Sequence, residues 1–160
     1  MKATPQEVIF RAARREDLVQ ILRLLADIVV SKDPLQYADE VVTDPPLSCY
    51  EEALSEILSP PNEAILGIIG EEVVAYAQIT YVPGLTRRGQ KRAIIEDVRV
   101  SRSFRGFDIG RRLMEHCAER AKEKGCWVIQ LTTNVWREDA IAFYEKIGFQ
   151  KSHVGFRIQF

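Results

Sequence analysis

The chain has 160 residues, 46% hydrophobic and 28% charged, a balance that excludes a disordered segment and suits one globular domain spanning 1–160. Its formal net charge of −1 supplies no positive field for a polyanion, so nucleic-acid binding is not expected. No apolar run reaches membrane length and residues 1–10 lack a signal-peptide core, which leaves the cytoplasm as the expected location and no membrane as partner.

In chain order, 8–12 reads as a short strand. Residues 16–30 read as a helix in which Leu18, Ile21, Leu22, Leu25 and Val29 recur at helical spacing, with Glu16 and Asp17 at its positive end. The stretch 31–47 carries Pro34, Pro45 and Pro46 among acidic residues and reads as a loop over a substrate site. A second helix is expected over 48–58, with Glu51 at capping-box spacing from Ser48 and Pro60-Pro61 as its stop. Residues 64–69 and 73–81 form a hairpin around Gly70-Glu71-Glu72.

A basic loop over 83–91 leads into a strand over 92–100. Strict alternation there puts Ile94, Glu96, Val98 and Val100 on one face and Ile95, Asp97 and Arg99 on the other, unless a bulge exchanges them. A helix follows whose Ile109, Leu113, Cys117 and Ala121 form one stripe ending at Gly125. Then come a strand over 127–133, a helix over 137–147 stopped by Gly148, and a last strand over 154–160.

Cys49, Cys117 and Cys126 share no C-x-x-C spacing, so they read as buried or idle thiols, and neither a disulfide framework nor a metal site is expected. His116 and His153 lack a metal-ligating partner at useful spacing. His116 reads as solvated, while His153 is placed to line an acceptor pocket.

The segment Arg105-Gly106-Phe107-Asp108-Ile109-Gly110 stands between a strand and an amphipathic helix. Its glycines permit a tight turn and a close ligand approach, and the helix start offers unpaired N–H groups, a setting that attracts phosphate. It is neither a P-loop nor the G-x-G-x-x-G of a dinucleotide fold. Together with Ile95-Glu96-Asp97-Val98-Arg99-Val100 before it and Ala142-Phe143-Tyr144-Glu145-Lys146-Ile147-Gly148-Phe149 after it, the segment resembles the GNAT superfamily of N-acetyltransferases. That family's signature Q/R-x-x-G-x-G/A cradles the pyrophosphate of acetyl-CoA. The resemblance is clear over 92–160 and looser before; the signature's middle glycine is Asp108 here, as it is also not glycine in some glucosamine-phosphate acetyltransferases.

The resemblance implies a mixed α/β fold in which a twisted, mostly antiparallel sheet flanked by helices splays at the central strand. It implies direct transfer of an acetyl group from acetyl-CoA, without a metal, to a primary amine of a small molecule in a ternary complex. Val98, Arg99 and Val100 then lie along the pantetheine arm. Arg105, Gly106, Phe107, Asp108, Ile109, Gly110 and Arg111 hold the pyrophosphate, and Asp108 predicts weaker or pH-sensitive donor binding. Asn134 either contacts the cofactor arm or caps a helix. Tyr144 matches the family's proton donor to sulfur, against a plain core-aromatic reading. Glu96 is the preferred base for the amine, with water or Asp97 as alternatives. Arg87, Arg88, Lys91 and Arg92 are either a solvated loop or a grip on an anionic acceptor. The alternative function is a non-catalytic acyl-CoA-binding or regulatory module of the same fold; a monomer and a homodimer both remain open.

Overall fold

In the computed structural model, residues 7–26 and 47–160 are described. Strand β1 (Ile9–Ala12) leads through a 3-10 turn (Arg15–Asp17) into helix α1 (Leu18–Ala26). Helix α2 (Leu47–Ile57) is followed by the hairpin β2 (Glu63–Ile69) and β3 (Glu72–Val82), then by β4 (Lys91–Val100). Helix α3 (Ile109–Glu123), β5 (Cys126–Leu131) and α4 (Glu138–Lys146) complete the order. The expected helix segment 27–30 and the expected acidic loop 31–46 lie outside the described residues.

The five strands lie side by side in the order β1-β2-β3-β4-β5, antiparallel up to β4 and parallel between β4 and β5. β2 and β3 are apolar through most of their length because helices cover both faces. On one face Ile65, Ile79, Ala93 and Ile95 pack with Ile109, Leu113 and Cys117 of α3 and with Phe143 and Tyr144 of α4. On the other, Ala64, Leu66, Val73 and Tyr76 pack with Leu18, Ile21 and Leu24 of α1 and Leu54 of α2. This is the mixed α/β architecture expected, with its sheet mostly antiparallel.

Two polar ties hold the helices to this sheet. The Tyr81 hydroxyl donates to Glu63 Oε1 at 2.5 Å, and Arg120 donates to the same carboxylate at 3.0 Å, fixing the last turns of α3 against β2 and β3. Ahead of α1, buried Asp17 accepts two bonds from Arg11 at 2.7 and 2.8 Å and one from the Arg14 amide at 2.8 Å. Of the cysteines, Cys117 is buried, which pushes its thiol up to about 12, whereas Cys49 is exposed; all three are free.

Two expectations fail. Residues 151–160 form no strand: the period-two pattern is present, but no neighbouring strand supplies a ladder, and every residue there is exposed. The faces of β4 are also exchanged partway along. Register with β3 slips between Tyr76 and Gln78, and Asp97 takes a left-handed conformation (φ 52°), so it is the extra residue of a bulge. Val98 and Val100 therefore pack with Ala93 and Ile95 against α3 and α4, while Glu96 faces the α1 side. Glu96 and Val98 do not share a face.

Candidate functional site

The sheet opens where β4 outruns β5. Their parallel pairing ends at Ile95 and Leu131, so 96–100 of β4 has β3 on one side only among the described residues. The Asp97 bulge falls in this stretch that β5 does not reach. Here the sheet is splayed at its central strand, as expected.

β4 runs into a 3-10 turn (Arg102–Phe104), then Arg105 and Gly106 (φ 83°), and Asp108 stands at the N-cap of α3. A Cβ at Gly106 meets nothing within 4 Å, so glycine is needed there for backbone conformation, and space is left above the turn. The first α-helical bond of α3 runs from the Arg112 amide to the Asp108 carbonyl at 3.1 Å, which leaves the amides of Ile109, Gly110 and Arg111 ahead of the ladder. No Asp108 side-chain bond caps them. Three convergent donors, an open glycine turn and the exposed Arg105 and Phe107 form a cradle that fits a diphosphate.

Asp108 holds the left-handed conformation (φ 64°, ψ 9°) that its non-glycine side chain tolerates at a cost. Its carboxylate turns instead to Arg111, whose Nε lies 2.9 Å from both oxygens, and Arg111 also bonds Glu115. The Arg111 pair holds the Asp108 carboxyl below the ordinary carboxylate range. It is therefore ionised throughout the neutral range.

Gly110 is tightly packed. A Cβ there lies 3.2 Å from Phe143 Cζ and 3.7 Å from Val100 Cγ2, so the first turn of α3, the end of β4 and α4 meet at this glycine. Phe143 is thus a site-forming residue that its helical stripe marks only as core. Tyr144, half-buried beside it, makes edge contacts with Phe143 at 5.2 Å and Phe149 at 5.8 Å. Burial pushes its phenol up, and the positive charges of Arg137 and Arg99 oppose this. Asn134 is exposed and is no helix cap: its carbonyl accepts from the Arg137 amide at 3.0 Å, and Arg137 holds the N-cap of α4.

On the α1 side, Tyr76 stands opposite Arg99 and Gln78 opposite Glu96. Burial pushes the Tyr76 phenol up, and the negative charges of Asp97 and Glu96 add to the shift, so both carboxylates lie near this ring. Tyr76 is a site neighbour the sequence does not reveal, because only the slipped register brings it there. Arg99 donates to the Val98 carbonyl at 3.0 Å.

The remaining candidates lie apart. Lys91 pairs with Cys126 at the start of β5, and Arg87 stacks 3.9 Å over Trp127, so the basic cluster sits at the other end of β4, about 23 Å of strand from Val98. His116 is half-buried and stacks on Phe10 at 5.6 Å, and His153 lies exposed beyond α4 beside Ser152. Among the described residues no group of His, Cys, Asp and Glu could hold a metal ion, and no helix is long and apolar enough to cross a membrane.

The family model described as the acetyltransferase (GNAT) family matches residues 26–149. Among curated relatives, the glucosamine 6-phosphate N-acetyltransferase of Trypanosoma brucei brucei is 32% identical over 143 residues, 84% of this chain and 92% of that protein. The thialysine N-epsilon-acetyltransferase of Bos taurus is 30% identical over 153 residues, 89% and 84% of the two chains. Among solved structures, one described as a transcriptional regulator from Bacillus halodurans C-125 superposes with a TM-score of 0.82 at 42% identity, covering 96% of this chain and all of that one.

Proposed function

The chain belongs to the acetyltransferase (GNAT) family and is an acetyltransferase enzyme, and from that premise we propose that it carries acetyl groups from acetyl-CoA directly to a primary amine of a small molecule. The observation that carries the proposal is the parting of β4 from β5 beyond Ile95 and Leu131, beside the open first turn of α3. The donor supplies a thioester whose carbonyl is open to an amine.

The amides of Ile109, Gly110 and Arg111, with Arg105 and the Gly106 turn, hold the diphosphate. The backbone of Val98, Arg99 and Val100, paired with β3 but not with β5, offers edge hydrogen bonds to an extended amide-bearing arm, as a strand edge does to any added strand. Asn134, beyond the end of β5, contacts the same arm. Glu96, facing the α1 side near Tyr76 and Asp97, takes the proton that the amine loses when its nitrogen bonds to the carbonyl. Tyr144 gives its phenolic proton to the departing sulfur, and burial keeps that proton in place at neutral pH. The amine enters from the α1 side of β4 and the thioester from the α3 side, so both meet in one complex without an acyl-enzyme.

The basic cluster is too far along β4 to grip an acceptor at this opening, so its solvated reading is the better supported. Glucosamine 6-phosphate and thialysine, the acceptors named by two relatives, both carry a primary amine and an anionic group, and Arg99, opposite Tyr76 on the α1 side, is the cation that meets such a group in this reading. The test is release of free CoA thiol over a panel of amino sugars, amino acids, polyamines and peptide amino termini. Amine-dependent release supports transfer. Binding of acetyl-CoA with no release from any amine favours the non-catalytic module and overturns the proposal.

A further inference from the structure

Two tyrosines of β3 are sealed at the ring and differ at the hydroxyl. Tyr81, 4% exposed, donates to Glu63 at 2.5 Å. Tyr76, 2% exposed, lies in the core cluster with α1 and α2, where the other buried members are Ala, Leu, Ile and Val. Its hydroxyl hydrogen-bonds no described residue, and since no buried side-chain N or O among those residues lacks a partner, solvent reaches that oxygen. A phenylalanine would fill the same space with no hydroxyl to satisfy, so packing does not account for the tyrosine.

Its neighbours share the condition. Gln78 follows Tyr76 on the α1 face, with Ala77 between them turned to the α3 side, and its half-buried carboxamide also bonds no described residue. The register sets Gln78 opposite Glu96 and Tyr76 opposite Arg99, with the Asp97 bulge between those two pairs. Glu96 and Asp97 are exposed and form no ion pair with a described cation, whereas Asp17 pairs with Arg11, Glu63 with Arg120 and Asp108 with Arg111. Burial pushes the Tyr76 phenol up and the charges of Asp97 and Glu96 push it further, so the hydroxyl faces both carboxylates and stays protonated as a donor. A phenol, a carboxamide and a carboxylate left without partners beside one another form a polar seat that a ligand completes.

We propose that Tyr76 and Gln78 are specificity residues of the acceptor site, selecting an amine whose neighbouring carbon carries a hydroxyl over a plain alkylamine of the same shape. With the amine at Glu96, the Tyr76 hydroxyl donates to the acceptor's oxygen, and the Gln78 carboxamide, opposite Glu96, can donate to it or accept from it. An alkylamine leaves both groups covered and unpaired, which is how a hydrogen-bonding site rejects an analogue that lacks the oxygen. The proposal rests on the acetyl-transfer reading for the place of the amine, and its second readout below is independent of transfer.

The test compares ethanolamine with propylamine, in which a methyl replaces the hydroxyl, at equal concentrations of free amine in the thiol-release assay. The native chain is expected to show a kcat/KM at least about tenfold higher for ethanolamine. In the double variant Tyr76→Phe with Gln78→Leu the ratio is expected to fall below about threefold, through loss of kcat/KM for ethanolamine. The second readout is nuclear magnetic resonance of the CoA-saturated chain with isotope-labelled tyrosine. The signal assigned to Tyr76 by its absence from Tyr76→Phe is expected to shift with ethanolamine and to stay in place with propylamine. A shifting Tyr76 signal without turnover of either amine overturns the transfer reading and supports this site. Three results overturn the proposal: equal use of the two amines by the native chain, a preference that survives in a folded double variant, or a Tyr76 signal that ethanolamine moves no more than propylamine does. The first and the last are read on the unaltered chain, so they stand if the double variant fails to fold.

Discussion

Asp108 and Arg111 face each other across the first turn of α3, Nε 2.9 Å from both carboxylate oxygens, so the acid that replaces a signature glycine is already occupied before any ligand arrives. Asp108→Gly removes a left-handed strain of about 1 kcal/mol but adds the chain entropy of a glycine, about 0.5–1 kcal/mol, so the melting temperature barely moves. Acetyl-CoA affinity, read by calorimetry, rises several-fold because a negative charge leaves the cradle. Arg111→Ala weakens donor binding more in the native background than in Asp108→Gly, since only there does it release an unpaired carboxylate. Equal losses in both backgrounds show that Arg111 does not act through Asp108.

Gly110→Ala and Gly106→Ala separate packing from conformation. At Gly110 the new methyl stands 3.2 Å from the Phe143 ring, and the ring or α3 must give way. The expected cost is about 1–2 kcal/mol of stability together with roughly tenfold weaker donor binding, because the moved helix start carries the amides. At Gly106 (φ 83°) the methyl meets nothing, so the cost is the conformational strain of about 1 kcal/mol alone. Thermal melts and donor titration of both variants check the contrast.

The sequence makes the bounds of β4 and α3 legible because apolar periodicity is a local property. It does not reveal the faces of β4 beyond Ile95, because one residue, Asp97, enters the left-handed region and shifts the parity of all that follow. Nothing in Asp97 itself marks it as the bulge; the slip is set by pairing with Tyr76 and Gln78 of β3. The Asp108–Arg111–Glu115 ladder has the i, i+3 and i, i+4 spacing of helix-surface pairs, but that spacing alone does not say that Arg111 turns to Asp108 and not to a ligand. The tie of Tyr81 and Arg120 to Glu63 was not legible, since 57 positions separate the Arg120 and Glu63 partners. In 154–160 the pattern was legible and the outcome was not, because a strand exists only beside another.

Acid should loosen the fold at Asp17. Hydrogen bonds from Arg11, joined by the Arg14 amide, hold its carboxyl below the ordinary range while burial opposes them. A depressed carboxyl contributes stability that is complete above its unfolded value near 4 and is lost as pH falls through its folded value. The melting temperature of Asp17→Asn should therefore lie below that of the native chain at pH 7, by roughly the 1–2 kcal/mol of a half-solvated pair, and the two should converge as pH falls below the ordinary carboxylate range. Curves that stay parallel to low pH remove Asp17 from the acid transition.

Tyr144→Phe tests the proton donor with the least disturbance, because the ring keeps its edge contacts to Phe143 and Phe149 and loses only an oxygen. A positioned general acid contributes about a hundredfold or more, so turnover in the thiol-release assay should fall by roughly that factor, with donor affinity and melting temperature nearly unchanged. The sign of the pH effect follows from burial, which raises the phenol above its ordinary value near 10. The hydroxyl stays protonated across the neutral range, so both enzymes should share one profile shape from about pH 6 to 9, set by the amine and its base, and differ only in height. A profile whose alkaline limb disappears in the variant assigns that limb to Tyr144 and contradicts the raised phenol. Undiminished turnover removes Tyr144 from the chemistry and leaves it a core ring against α3 and β4.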